Sequence, residues 1–218
     1  MKNKKKLVRL VLFALFSALI VAMTFTPYMG YITVGIIEIT TLHIVVILGA
    51  TILGAKYGAL LGGVWGITCI VRAIQMAFIP FANPIVSLLP RILVGVVAGL
   101  VFLGLSKTKI PKVISLVIAT LAGTITNTTC VLTALKLCDD IKITYGDILI
   151  TLGKHDFLIK AGEISFNGFE ALFGEGASAI QSIITTLIST NGLIELVAAV
   201  ILVPSIYMAT HKIIKDKI

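Results

Sequence analysis

The sequence predicts an all-α membrane protein with six transmembrane helices. Of its 218 residues, 58% are hydrophobic and only 13% are charged, whereas a soluble globular domain carries about 25% charged residues. The mean hydropathy of +1.09 is typical of a chain whose main solvent is lipid. No Pro-rich or Ser-rich linker divides the chain, so we interpret residues 1–218 as a single membrane domain.

Six apolar stretches are, in most cases, close to the roughly twenty residues that cross a bilayer. In chain order they cover roughly 7–26, 36–53, 57–71, 86–105, 113–137 and 192–210. The third stretch is short and needs support from its neighbours. The first follows a basic start, as in a signal peptide, but it is longer than a signal peptide's apolar region and five further stretches follow, so we expect it to be retained.

Basic residues are concentrated in the segments that six spans place on one side of the membrane. These residues are Lys2, Lys4, Lys5, Lys6, Arg9, Lys56, Lys107, Lys109, Lys112, Lys212, Lys215 and Lys217. By the positive-inside rule that side is the cytoplasm, which predicts that both termini are cytoplasmic. The net charge of +8 is thereby explained without a nucleic-acid partner, and we expect none.

The longest segment between predicted spans covers residues 138–190 and is rich in acidic residues and glycine. We predict that it is an extended extracellular loop between the fifth and sixth helices. Its last part, residues 177–189, is apolar enough to be helical, which leaves the start of the sixth helix open.

Polar residues within or beside the spans lie mainly in the predicted outer half of the membrane. The candidate ligand-binding residues are Glu38, His43, Arg72, Asn83, Arg91, Asn127, Asn191 and Glu195. Ionisable groups at membrane depth are costly and usually face a cavity or a partner. Because the inner half has no comparable set, the pattern predicts an outward-facing pocket for a small solute in preference to a channel.

Several of these candidates have a second interpretation. Glu38 or Glu195 could pair with an arginine for packing alone, and His43 could be an ordinary interior histidine. Arg91 lies about two turns inside the fourth helix, where a guanidinium needs an anion.

Small residues recur four apart on several helices, a spacing that lets helix backbones approach closely in lipid. Ala14, Ala18 and Ala22 form such a stripe on the first helix. This stripe would suit packing within the chain and would equally suit a partner protein.

Motifs for nucleotide hydrolysis, zinc proteolysis and serine hydrolysis are missing from the sequence. The run ending at Lys56 has no Ser or Thr after the lysine and does not follow a strand. We therefore expect a protein that is not an enzyme and that uses no cofactor and no metal.

Four segments resemble the substrate-binding S components of energy-coupling factor (ECF) transporters, and most closely the pantothenate-type branch. They are GIIEITTLHIVVILGA (35–50), LGAKYGALLG (53–62), NPIVSLLPRILVG (83–95) and TNGLIE (190–195). The resemblance covers nearly the whole chain except about 138–185. Ala55 departs from the family pattern, in which Pro is expected at that place in the turn.

The resemblance implies a multi-pass subunit of the plasma membrane that binds a vitamin, with pantothenate as the expected one, and docks on a transmembrane coupling subunit with two ATPase subunits. It implies that Ala14, Ala18 and Ala22 contact the coupling subunit. Pantothenate is an anion with an amide and two hydroxyls, so Arg91 or Arg72 suits its carboxylate, and the three asparagines suit its polar groups.

Three alternatives stay open at the level of sequence. The chain could bind another vitamin with the same groups. It could be a self-sufficient secondary transporter or channel for a small solute, which would need an inner gate and usually repeated halves. It could be an assembly protein of the membrane, which would leave the outer polar residues unexplained.

Overall fold

Helices make up most of the chain in the computed structural model, which describes residues 2–34, 37–75, 79–138 and 177–214. The elements are α1 (Lys2–Phe25), β1 (Tyr31–Val34), β2 (Ile37–Thr40), α2 (Leu42–Leu53), α3 (Ala55–Gln75), a short 3-10 helix (Ile79–Ala82), α4 (Pro84–Leu105), α5 (Lys112–Cys138) and α6 (Ala177–Ile214). The prediction of a mostly helical membrane protein is confirmed.

Among the described residues, five helices are long and apolar enough to cross a membrane. They are α1, α3, α4, α5 and the part of α6 from Gly192 to Thr210. The predicted second span is present as α2, an apolar helix of 12 residues. At about 1.5 Å per residue this helix is shorter than the roughly 30 Å hydrocarbon core.

The start of the second predicted helix was wrong. Residues Ile37–Thr40 form β2, which pairs antiparallel with β1 so that Tyr31 lies opposite Thr40 and Thr33 opposite Glu38. Glu38 therefore belongs to a hairpin and not to a helix. The run 36–40 is apolar enough to pass for a helix start, but its β-branched residues also suit a strand, and pairing with β1 decides between the two.

The segment predicted as a loop over 138–190 is partly helical. Cys138 ends α5, and residues from Ala177 onward belong to α6, in agreement with the apolar character of 177–189. Residues 139–176 lie outside the described residues.

The core is apolar and is centred on α2, in which 11 of 12 residues are buried. Ile20 of α1, Leu61 and Trp65 of α3, and Val94 of α4 are fully buried against this cluster. The helix α1 contributes least, since 11% of its membrane-spanning window is buried, against 44% for α3 and for α4.

Glycines bring α3 and α4 into backbone contact. A Cβ added at Gly62 would collide with the carbonyl of Arg91, and one added at Gly95 would collide with the carbonyl of Gly58. Without a hydrophobic driving force between helices in lipid, such close approach supplies much of the association through dispersion. The contact also fixes the height of Arg91 relative to α3.

The turn between α2 and α3 forms without the proline expected there. Gly54 has φ 98°, which is in the left-handed region that glycine adopts at low cost. Its N–H donates to the carbonyl of Ala50 at 2.9 Å, and its own carbonyl accepts from the N–H of Gly58 at 3.0 Å. Ala55 then begins α3, so the departure from the family pattern leaves the turn intact.

The α3–α4 contact predicts a strong difference between two neighbouring glycines. Gly62→Ala should destabilise the protein by about 1–3 kcal/mol, because a methyl group must push the α4 backbone away. Gly63→Ala is the matched control, since a Cβ at Gly63 meets nothing within 4 Å and alanine is the better helix former. Thermal melting in one detergent measures both, and equal melting temperatures would contradict the close-contact interpretation.

Candidate functional site

Arg91 is the centre of a cluster formed by α3, α4 and the hairpin. Its side chain is 5% exposed. One guanidinium nitrogen, Nη1, donates to the carbonyl of Val86 at 2.6 Å, and Nη2 lies 3.8 Å from the sulfur of Cys69. The third nitrogen, Nε, is buried without a hydrogen-bond partner among the described residues.

The carbonyl of Val86 is available because residue 90 is proline. In an α-helix the N–H of residue 90 would donate to the carbonyl of residue 86, but proline has no N–H. Pro90 lies inside α4, and the Arg91 side chain supplies the missing donor. The Pro90–Arg91 dipeptide therefore fixes the guanidinium against its own helix.

Aromatic rings border the guanidinium. Its carbon lies 5.2 Å from the ring centroid of Trp65 and 5.4 Å from that of Phe81, distances typical of cation–π contacts. The hydroxyl of Ser87 donates to the carbonyl of Phe81 and lies 3.6 Å from the sulfur of Cys69, which ties the 3-10 helix to α3. The rings and the sulfur replace part of the hydration that the cation loses on burial.

The hairpin joins this cluster through Tyr31. The hydroxyl of Tyr31 accepts a hydrogen bond from Nε1 of Trp65 at 3.2 Å. The guanidinium of Arg72 lies 4.0 Å over the ring of Tyr31. Burial raises the pKa of the Tyr31 phenol well above its usual range, so this hydroxyl is neutral at physiological pH.

Glu195 and His43 lie near the opposite side of the hairpin. Glu195, 6% exposed, accepts a hydrogen bond from the N–H of Thr40 at 2.5 Å, and its charge is close enough to Arg91 for the two to interact. His43 is fully buried beside the backbone of Thr40 and Glu195. Both of its ring nitrogens lack a hydrogen-bond partner within the described part of the chain.

The asparagines contribute unpaired amide groups. The side-chain oxygen of Asn83 accepts from the N–H of Ile85 at 2.9 Å and caps the start of α4, and its buried amino group has no partner among the described residues. Within the same part of the chain, the oxygen of Asn127 is also unpaired, as are the hydroxyls of Thr120 and Thr124 on the same face of α5. The contacts of Asn83 stay at the start of α4, so the structure does not link it directly to Arg91.

Two predicted residues cannot be placed at the level of side chains. Glu38 lies in β2 and Asn191 in α6, but their side chains are outside the described part of the structure.

Sequence reasoning missed Tyr31, Trp65, Cys69 and Phe81. A signal for two of them was present, because Trp65, Cys69 and Arg72 recur at i, i+4 and i+7 and so share one face of α3. The direction of Tyr31 depends on the hairpin, which the sequence did not reveal.

A separate groove of about 230 Å³ lies between α5 and α6. It is lined by Thr124, Ile125, Thr128, Thr129, Gly192, Leu193 and Leu196. Ile125 and Leu193 are exposed, so the groove opens on the outside of the bundle, and it contains none of the cluster residues around Arg91.

Comparison with known proteins identifies the family. A family model described as "ECF transporter, substrate-specific component" matches residues 8–207. The chain belongs to this family. The resemblance seen in the sequence is thereby confirmed, and the family is a class of transporter components and not of enzymes.

Two relatives carry a more specific name. A pantothenate transporter, PanT, of Leuconostoc mesenteroides subsp. mesenteroides is 34% identical over 108 residues, which cover 46% of this chain and 52% of the relative. A pantothenic acid transporter, PanT, of Lactococcus lactis subsp. cremoris is 31% identical over 153 residues, which cover 62% of this chain and 76% of the relative. The first match thus spans about half of the relative's length.

As a member of this family, the chain is a membrane-embedded protein. The cluster around Arg91 offers a small molecule a buried cation, and the amide and hydroxyl atoms elsewhere in the bundle that are unpaired among the described residues offer both donors and acceptors. This combination suits an anion with polar groups along its length.

The hydrogen bond between Tyr31 and Trp65 predicts that replacing two tyrosines of the same region will affect stability differently. Tyr31→Phe should lower stability by about 1–3 kcal/mol, because it leaves the Trp65 N–H buried without its acceptor. Tyr28→Phe is the control, since Tyr28 is 73% exposed. Melting curves of the two variants measure the effect, and an unchanged Tyr31→Phe protein would show that Trp65 finds another acceptor.

Proposed function

We propose that this chain is the high-affinity pantothenate-binding membrane subunit of an ATP-driven ECF importer of the plasma membrane. The observation that carries the proposal is the buried Arg91, whose Nε has no partner among the described residues, in a chain whose relatives are named pantothenate transporters. A permanently charged guanidinium with a free donor at this depth favours an anionic ligand.

The described contacts of Arg91 support a ligand role over a structural ion pair. Its recorded hydrogen bonds go to a carbonyl and to a sulfur, and the carboxylate of Glu195 bonds to Thr40. A carboxylate on the free edge of Arg91 would form a charge-assisted hydrogen bond in a water-poor site, where such bonds are strong.

Arg72 is the second cation of the proposed site. Its guanidinium lies over the ring of Tyr31, at the surface of the hairpin. We assign Arg91 to the ligand carboxylate and Arg72 to the entrance, where it attracts an anion over a longer range. Asn83 and Asn127, with Asn191, are proposed to bind the amide and hydroxyl groups.

The proposed topology follows the charge pattern. Both termini and the basic loops face the cytoplasm, and the hairpin, with Arg72 and the start of α4, faces outside. The ligand site then opens to the side from which an importer takes its substrate.

The role of Arg91 predicts a loss of affinity that depends on the ligand's carboxylate. Arg91→Ala should weaken pantothenate binding by roughly 2–5 kcal/mol, because the ligand charge would be buried without its partner. Arg91→Lys should recover only part of the loss, since an ammonium group cannot reproduce the fork. Isothermal titration of the purified variants measures the affinities.

Two controls separate binding from folding. Melting temperature and monodispersity report whether Arg91→Ala is folded, and an analogue with an alcohol in place of the carboxylate should bind this variant and the wild type alike. A folded Arg91→Ala protein with unchanged pantothenate affinity would remove Arg91 from the site. If Arg72→Ala also leaves affinity unchanged, the ligand is not recognised as an anion.

The alanine stripe of α1 is proposed as the surface for the coupling subunit. Ala14, Ala18 and Ala22 are all exposed, whereas Ile20 is fully buried and faces the core. This exposure among the described residues supports the partner interpretation over packing within the chain.

The exposed stripe predicts separate effects on uptake and binding. Ala14→Leu with Ala18→Leu should abolish ATP-dependent uptake by the complete transporter and leave pantothenate binding to the isolated subunit unchanged, because bulky residues block close helix approach. Ala209→Leu is the control, since Ala209 is an exposed alanine on α6. Uptake by vesicles that contain this chain alone would instead indicate a secondary transporter.

A further inference from the structure

The carboxylate of Glu195 is engaged with the hairpin. Its Oε1 accepts from the N–H of Thr40 at 2.5 Å, across 155 positions of sequence. The side chain is 6% exposed, so this contact is buried. The sequence had suggested a direct contact between Glu195 and the ligand.

Strand geometry makes the Thr40 N–H available for this contact. In an antiparallel pair the N–H groups of successive residues point alternately towards the partner strand and away from it. The N–H of Thr41 donates to the carbonyl of Gly30 at 3.0 Å, so the N–H of Thr40 points away from β1. Glu195 supplies the acceptor on that outer edge.

The hairpin pair Tyr31–Thr40 is also held on the side that faces α3. Tyr31 lies opposite Thr40 in the hairpin, and its hydroxyl accepts from Trp65 on α3. The Tyr31–Thr40 pair therefore bridges α3 and α6. Trp65 in turn lies over the Arg91 guanidinium, so the bridge passes over the cation of the proposed site.

We propose that Glu195 is a positioning residue whose carboxylate fastens the hairpin over the Arg91 site and so slows ligand departure, without contacting the ligand. This inference rests on the proposed function, in which an anion binds Arg91. The role requires an acceptor oxygen at position 195 and does not require a negative charge, which makes glutamine an informative substitute.

The test uses four single variants and the double variant of Glu195→Leu with Thr40→Pro. Glu195→Leu removes the acceptor, and Thr40→Pro removes the donor at the end of an edge strand, where proline is tolerated. Glu195→Gln keeps an acceptor oxygen, and Thr40→Ala is the matched control because it keeps the backbone N–H. The dissociation rate of pantothenate and hydrogen exchange at the Thr40 N–H are the two readouts.

Glu195→Leu and Thr40→Pro should each raise the dissociation rate roughly 10- to 100-fold, the range expected for a lost hydrogen bond to a charged group. The double variant should dissociate no faster than the single ones, because both changes remove one contact. Glu195→Gln and Thr40→Ala should stay within about 5-fold of wild type, since a neutral hydrogen bond is weaker by only about 1 kcal/mol. Three single variants keep the Thr40 N–H, namely Glu195→Leu, Glu195→Gln and Thr40→Ala. Among these three, hydrogen exchange at Thr40 should accelerate only in Glu195→Leu.

Additive effects of Glu195→Leu and Thr40→Pro would overturn the inference and indicate that Glu195 contacts the ligand. So would an altered preference between pantothenate and its alcohol analogue in Glu195→Gln. If Glu195→Leu does not fold, the Glu195→Gln and Thr40→Pro pair decides by the same criteria. If the wild type binds no pantothenate, the proposed function fails, and exchange at Thr40 still decides whether Glu195 fastens the hairpin.

Discussion

Burial of a permanent positive charge is the constraint around which the described end of the bundle is organised. A guanidinium cannot lose its proton, so the water molecules that it loses on burial have to be replaced by protein groups. Arg91 obtains a carbonyl that Pro90 leaves free, a sulfur, and two aromatic rings. The arrangement depends on the glycine contact between α3 and α4, because only that spacing brings Trp65 and Cys69 to the level of Arg91.

The hairpin and the short α2 act together as one structural unit. A helix of 12 residues is too short to cross the hydrocarbon core, and the strands β1 and β2 directly precede it. A hairpin can present two opposite residues in two directions, which a continued helix could not do at the same height. Tyr31 therefore reaches α3 while Thr40 reaches α6.

Hydropathy was sufficient to predict the spans, because the cost of exposing polar groups to lipid leaves few alternatives. It failed at residues 37–40, where a strand and a helix start are equally apolar. The position of Arg91 about two turns inside α4 was predictable from the same pattern. The hydrogen bond from the Thr40 N–H to Glu195 was not predictable, because every residue except proline carries a backbone donor. Phe81 was missed because it reaches the cluster only through the path of the 3-10 helix.

The charge balance of the cluster bears on energetics as well as on recognition. The Nε of Arg91 has no hydrogen-bond partner among the described residues, so a ligand carboxylate would offset part of the positive charge that is buried there. A buried charge pair raises affinity mainly by slowing dissociation, and a ligand bound in this way leaves slowly on either side of the membrane. Release on the inner side then requires a second state in which the pair is weakened, and work must be done to reach it. In the proposed importer, the ATPase subunits of the ECF module would supply this work.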